Sequence, residues 1–360
     1  GSVWKKLLLW GVLGLLVLAA AAVAGSYLYV RAYLKSDGFL AMLEQSAVDD
    51  MNVETARIDP LDWDGSGIRC GGVVMEGHEF LTSLQARNIE TEFSRWELLK
   101  RAFVITSVNI AELKLHLAPV SFRFREKPEG PRSWAEENIL PDTFRLEKGS
   151  IDSLSVSYGE AGRLYVLDGA RVESAYDAGS SQYRFDVRGG KLLLPFQGCP
   201  EFSLMSGTAQ FNHSSRRVNI PSCRLTTDAG GYLDIKGDWD GSSSSWTANV
   251  VVNGVPVSSI LEDHWRKHVH GSVSGGIDLR GGRDGVTHVA GLARLQGGML
   301  TGLPVLDRLA LFCGSSRFRN LPLHEASAQF VYQESAWHIS NILVESENLC
   351  LLYTSPSPRD

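Results

Sequence analysis

A period-two alternation of apolar and polar residues returns along most of this chain, and it limits the fold more than any other feature. Leu113, Leu115 and Leu117 alternate with Glu112, Lys114 and His116. Leu154, Val156 and Tyr158 alternate with Ser153, Ser155 and Ser157. Tyr183, Phe185 and Val187 alternate with Arg184, Asp186 and Arg188, and Leu233, Ile235 and Trp239 with Asp234, Lys236 and Asp238. Val273, Ile277 and Leu279 obey the same rule, as do Ala326, Ala328, Phe330 and Tyr332. Successive side chains of a strand point to opposite faces, so each run predicts a strand with one apolar and one polar face. Such strands suit an antiparallel sheet with one side in water. Turn signals at Ala178–Ser181, Ala229–Gly231 and Gly281–Gly285 separate them. The apolar faces need cover. Either they bury against one another in a sandwich or barrel, or a curved sheet keeps its apolar face open as a trough for acyl chains. Periodicity alone does not separate these outcomes.

A few helices interrupt the strands. Asp37 is expected to cap a helix running to about Met51, with Phe39, Met42 and Leu43 on one side. Ser94 and Glu97 make a capping box for a short helical insert at Arg95–Arg101. Pro256 opens a helix whose stripe is Val257, Ile260, Leu261 and Trp265. Pro304 opens another, with Leu306, Leu309 and Ala310 facing one way. The stretch Lys127–Glu137, rich in Pro and charge, is the best candidate boundary or loop.

Leu7–Val30 contains no charged residue. As a helix its 24 residues extend about 36 Å, enough to span a bilayer with some tilt. Lys5 and Lys6 precede it, Arg31 and Lys35 follow, and Trp4, Trp10, Tyr27 and Tyr29 suit the two interfaces. Its place at the N-terminal end favours a signal-anchor with the rest of the chain exported. The competing reading is a cleaved signal peptide with Ala22-Val23-Ala24 as its site. At the other end, Cys350–Asp360 reads CLLYTSPSPRD and resembles the in-frame translation of a transposase sequencing adapter. The chain begins with Gly1 rather than Met, and it is expected to be a fragment whose native sequence continues past Leu349.

Composition and motifs exclude more functions than they suggest. Hydrophobic residues are 44% and charged residues 21% of the chain, which is a globular balance. The net charge of −6, without a run of Lys and Arg longer than two, argues against binding nucleic acid by phosphate neutralisation. There is no G-x-S-x-G, Walker A or G-x-G-x-x-G motif. His78-Glu79 and His324-Glu325 begin like zinc-protease motifs but continue to Thr82 and Ala328 where His is needed. His264 and His268, four apart, are expected on one helix face with His270 past its end, as a polar face rather than a metal site. Cys70, Cys199, Cys223 and Cys313 show no C-x-x-C spacing. A hairpin turning near Asn212–Ser215 would place Cys223 opposite about position 205, which argues against a Cys199–Cys223 bridge. Asn212-His213-Ser214 is a formal glycosylation sequon of low weight. Carboxylates abound without a distinguishable acid/base pair. No catalytic residue, cofactor or metal is expected.

Three features together resemble the AsmA-like proteins of the wider AsmA/TamB group. They are the N-terminal anchor followed by the helix DGFLAMLEQSAVDDM, the run from Arg87 to Leu117, and the segment from Gly291 to Leu349. In the last, a strand leads through Gly298, Leu300, Gly302, Pro304 and Leu306 into a short helix and further strands. The likeness covers most of Trp4–Leu349 and rests on apolar and Gly positions; about 121–259 match only in style. It implies a mainly β chain: an N-terminal transmembrane helix, then an extended, curved, groove-like antiparallel sheet with a few short helices. It divides the chain into an anchor (1–35), a helix-plus-β region (36–126), a central sheet region (127–265), an incomplete AsmA-like C-terminal region (266–349) and the foreign tail (350–360). It implies a single-pass inner-membrane protein of a diderm bacterium, held by residues 7–30, with its bulk in the periplasm. Its partners would be phospholipid acyl chains and components of outer-membrane assembly, and its role non-catalytic. The groove would be lined by Leu113, Leu115, Leu117, Leu154, Val156, Tyr158, Tyr183, Phe185, Val187, Leu233, Ile235, Trp239, Val273, Ile277 and Leu279. The alternative is a structural or assembly factor with a packed core. An exported enzyme or carbohydrate-binding β-protein is a third, more distant reading.

Overall fold

The computed structural model describes residues 36–353 apart from 52, 64–66, 78–79, 95–101, 120–142, 161, 196–198, 213–214, 262, 283–284, 334 and 348. The expected transmembrane helix, the insert at Arg95–Arg101 and the Pro-rich stretch Lys127–Glu137 lie outside the described residues. Among the described residues no helix is long and apolar enough to cross a membrane. The described chain is mainly β with a few short helices, as the alternation requires. It divides into two compact units, 1–151 and 152–360.

The first unit opens with α1 (Asp37–Met51). Its cap is Ser36 rather than Asp37: Ser36 Oγ accepts the Phe39 N–H at 3.3 Å, and Asp37 lies in the first turn. Phe39, Leu40, Leu43, Glu44, Ala47 and Val48 are half-buried, a stripe of helical period, whereas Met42 is exposed. Strands β1 (Thr55–Ile58) and β2 (Leu61–Trp63) both pair with β3 (Gly67–Glu76), β1 along 73–76 and β2 along 68–70. Glu44 Oε1 accepts the Ile58 N–H at 2.9 Å and so satisfies a donor at the end of β1. Between β1 and β2 the chain bends at Asp59-Pro60. A Cβ at Gly71 or Gly72 would stand 2.9 or 3.0 Å from Asp59 Oδ2, so the glycine pair makes room for the bend. The sheet continues through β4 (Leu81–Phe93) and β5 (Ala102–Leu117), both antiparallel to their predecessors. β6 (Thr143–Leu146) then runs parallel to β5, so the sheet is mixed rather than purely antiparallel.

The alternation in these strands changes phase. In β4 the covered apolar positions are Leu84 and Ala86, then Ile89 and Phe93. Asn88, between them, has φ +50°, the left-handed region that Asn tolerates better than most residues. β3 changes from Ile68 and Cys70 to Val73 and Met75 across Gly71-Gly72. In β5, Val108 and Ile110 give way to Leu113 and Leu115 across Ala111. These three points are neighbours in register, since Arg87 pairs with Gly72 and with Glu112.

The second unit is a long antiparallel meander. β7 (Lys148–Glu160) carries the division between the units. β8 (Arg163–Asp177) pairs with both β9 (Gln182–Arg188) and β10 (Lys191–Leu193), and so does β11 (Phe202–Asn212). β9 and β10 are thus two halves of one sheet position, broken at Gly189-Gly190, where φ is +69° and +88°. The order continues through β12 (Arg217–Thr227), β13 (Tyr232–Asp240), β14 (Ser245–Pro256), β15 (Val269–Gly282) and β16 (Gly285–Thr301). β16 pairs with both β17 (Asn320–Leu323) and β18 (Glu325–Gln333). β19 (Ala336–Ser346) and β20 (Leu349–Tyr353) follow, so the first residues of the tail lie beside β19.

Where Pro256 is expected to open one helix, the structure has two single turns, α2 (Val257–Ile260) and α3 (Asp263–Arg266). Leu261 is extended, with φ −91° and ψ 147°, and of the expected stripe only Val257 is buried. α4 (Pro304–Phe312) begins at Pro304 as expected and buries Leu306 and Ala310. Its anchor is a small core of Leu306, Leu321 and Leu323, in which Leu321 is 2% exposed. A second core joins Phe202, Leu204 and Leu225, with Val187, Leu233 and Ile235 packed against it.

Cys70, Cys199, Cys223 and Cys313 are free thiols. A bulge with its extra residue on β12, between Asn219 and Ser222, shifts the register, and Cys223 lies opposite Gly207 rather than position 205. Burial raises the Cys70 thiol above its ordinary range, while Cys313 is exposed. Of these four, a brief iodoacetamide pulse at neutral pH is therefore expected to modify Cys313 first and Cys70 only on unfolding, as read by peptide mass mapping.

Candidate functional site

Register converts the separate alternations into one surface. Read across the second unit, Val172, Val187, Gly207, Cys223, Ile235, Val250, Ile277, Gly291, Phe330 and Ile339 are successive cross-strand partners. Directly paired residues share a face, so this row is a continuous apolar ladder over ten strand positions. A parallel row runs Tyr176, Tyr183, Phe211, Val218, Trp239, Trp246 and Gly281. Another runs Gly237, Ala248, Leu279, Val289, Tyr332 and Trp337. Leu204, Leu225, Leu233 and Val252 extend the same face.

Most of these side chains are half-buried. Val172 and Val250 are buried, whereas Trp239 is 42% and Ile339 55% exposed. Two aromatic rings lie flat over glycines on the next strand. A Cβ at Gly281 would stand 2.4 Å from the Trp246 ring, and one at Gly291 2.5 Å from the Phe330 ring. The glycines therefore hold these rings close to the sheet and keep the apolar face low.

The opposite face is polar. One of its rows reads Arg184, Gln210, Asn219, Asp238, Thr247, Arg280 and His288. Cross-strand bonds satisfy much of it. Arg224 grips Asp234 with two bonds of 2.7 Å and stacks 4.5 Å over the Tyr232 ring; Asn219 donates to Asp238 at 2.6 Å and Asn249 to Asp278 at 2.8 Å. The bond from Arg224 holds the Asp234 carboxyl below the usual range, and Arg184 does the same for Asp186. Both are therefore ionised at neutral pH and suited to pairing rather than proton donation. A depression of about 540 Å³ is lined by residues of both faces, Gln210, Asn219 and Asp238 together with Val218, Trp239 and Trp246.

The expected lining residues divide by unit. Tyr183, Phe185, Val187, Leu233, Ile235, Trp239, Val273, Ile277 and Leu279 all fall on the apolar face just described. Leu154 and Val156 are half-buried on β7, where Tyr158 is 41% exposed and tilted against Tyr165. Leu113, Leu115 and Leu117 belong to the first unit, opposite Ala86, Leu84 and Leu81. Sequence reasoning missed β14, because Val251, on the polar face, turns its alternation into an unbroken Val run. It also missed the glycine positions of the ladder, which carry no apolar signal of their own.

The histidines differ from their expected arrangement. α3 ends at Arg266, so His268 lies just past the helix, where its ring still meets that of His264 edge-on at 5.8 Å. His268 Nδ1 lies 2.8 Å from the Thr301 carbonyl, and His270 Nε2 lies 3.5 Å from Thr301 Oγ1. Among the described residues no group of three or more His, Cys, Asp or Glu could hold a metal ion. Compared with protein-family models, curated proteins and solved structures, the chain matches none.

Proposed function

We propose that this chain is an AsmA-like, membrane-anchored protein that shields phospholipid acyl chains on the apolar face of its sheet. It handles lipid between the inner and outer membranes of a diderm bacterium and performs no catalytic step. The observation that carries this reading is the ladder from Val172 to Ile339, continuous over ten strand positions and half-buried or exposed at all of them but Val172 and Val250. At about 4.8 Å per strand the ladder measures about 43 Å along the sheet. An acyl chain filling half of a bilayer core of about 30 Å needs only about 15 Å. Each shielded CH₂ is stabilised by about 0.8 kcal/mol. A chain that slides along continuous apolar surface keeps that stabilisation at every step, so no large barrier arises. In this reading residues 7–30 hold the protein in the inner membrane, the bulk lies in the periplasm, and the sheet curves into a groove. Outer-membrane assembly components are the proposed protein partners.

Alternate faces of one strand provide the test. A photoreactive amino acid placed at Phe185 or Ile277 in the full chain is expected to yield adducts with the mass of a phospholipid. The same probe at Arg184 or Asp278, one residue away on the polar face, is expected to yield none. Adduct-free, well-folded protein at Phe185 and Ile277 would reject lipid handling and favour an assembly factor whose apolar face is covered by protein.

A further inference from the structure

We propose that α4 and the 3₁₀ turn after it (Ser316–Arg319) form a docking tip that inserts Leu311 and Phe312 into the surface of an anionic bilayer. The proposal rests on the lipid-handling reading for its purpose, because it names where a lipid would reach the sheet. The contact itself stands on separate observations.

The first is that α4 has two apolar sides and buries only one. Leu306 and Ala310 face the core with Leu321 and Leu323. On the other side Val305 is 65%, Leu311 75% and Phe312 92% exposed. A surface helix ordinarily turns polar residues outward, and a cluster of large apolar side chains left in water marks an interaction site.

The second is charge. The segment from α4 to the 3₁₀ turn holds Arg308, Arg317 and Arg319 against a single Asp307. Arg319 pairs with Asp307 at 3.6 Å, which leaves the positive charge of Arg308 and Arg317 in excess. Apolar residues flanked by Arg are the composition of a helix that lies in a headgroup layer over anionic lipid.

The third is position. The β14–β15 connection lies beside this one, joined through the Thr301 N–H donating to the His268 carbonyl at 2.9 Å. It adds exposed Ile260 and Trp265, an aromatic suited to the interface. The connections at the opposite ends of these strands are polar turns: Asp240 accepts from Ser242 and Ser243, and Gly282 pairs with Gly285. Two apolar connections therefore gather at one end of the strands, and the one that carries α4 has an excess of positive charge.

Cys313, exposed and next to Phe312, offers a place for the reporter. The full chain, with Cys350→Ser to remove the tail thiol, is labelled at Cys313 with an environment-sensitive fluorophore and reconstituted into vesicles. One set contains phosphatidylcholine alone and the other phosphatidylcholine with phosphatidylglycerol. A membrane anchor would hold the protein on both sets alike, so the probe reports the tip and not the anchor. The expected result is a blue shift, with quenching by nitroxide-labelled lipid, in the anionic vesicles only. Leu311→Ser with Phe312→Ser should abolish it, at sites too exposed to disturb the fold. Arg308→Gln with Arg317→Gln should lower the inserted-to-free ratio about 25-fold, at about fivefold per cation. A probe that stays aqueous, that shifts equally in both vesicle sets, or that is already shielded before reconstitution by another segment or a second copy overturns the proposal. Lipid adducts at Ile277 beside an aqueous probe at Cys313 would reject the tip alone. An inserted probe without adducts would reject the sheet-face reading alone.

Discussion

Phe185→Glu is expected to strip acyl chains from the sheet and leave the fold in place, whereas Ile235→Glu should strip them and destabilise the fold as well. The two positions are equivalent by alternation and differ in what surrounds them. Phe185 is half-buried on β9, its ring stacked beside Tyr183 at 6.4 Å, with Ser174 and Ala209 as its cross-strand partners. A carboxylate there meets small neighbours and keeps its water. An acyl chain crossing it must remove that water, at a cost of at least about 2 kcal/mol, or about 30-fold in occupancy. Ile235 instead packs against Phe202, Leu204 and Leu225. A charge there sits beside a buried core without a partner and should also cost about 2 kcal/mol or more of folding stability. Urea unfolding together with extraction and mass analysis of bound lipid reads both effects. If Phe185→Glu retains its full lipid complement, the face is not the binding surface.

Leu321→Ala should be the most damaging single truncation in the second unit. Leu321 is the large described side chain most completely removed from water, and it supports α4 through Leu306. Leu-to-Ala changes at such sites cost about 2–5 kcal/mol, from lost burial and the cavity left behind. Leu311→Ala, the same chemical change on the exposed side of α4, should change stability by less than about 0.5 kcal/mol. Chemical denaturation of the two variants side by side measures the difference. Equal effects would mean that α4 is held by its outer side.

The sequence made some of this arrangement legible and hid the rest for physical reasons. Strands with one wet face announce themselves through alternation, which is why the runs at Tyr183–Val187 and Leu233–Trp239 fall on observed strands. Pro304 marks the start of α4 because its fixed φ suits a first turn. The sequence places the cap of α1 one residue late, since Ser36 and Asp37 are both good caps and only geometry chooses between them. The helix expected after Pro256 is interrupted because four residues of apolar stripe are weaker than the demands of joining β14 to β15. Membership of the apolar face depends on register. Register depends on bulges such as those at Leu204/Ser206 and Thr208/Gln210, which leave no trace in hydrophobicity.

The phase change at Asn88, Gly71-Gly72 and Ala111 acts like a line dislocation in a crystal, a half-step carried from row to row across three strands. On one side of the line the odd-numbered positions of β4 tolerate charge, and on the other the even-numbered ones do. A one-residue deletion within β4 would shift the line along the strand and restore correct facing after a few residues, where the same deletion in β13 would invert every side chain beyond it.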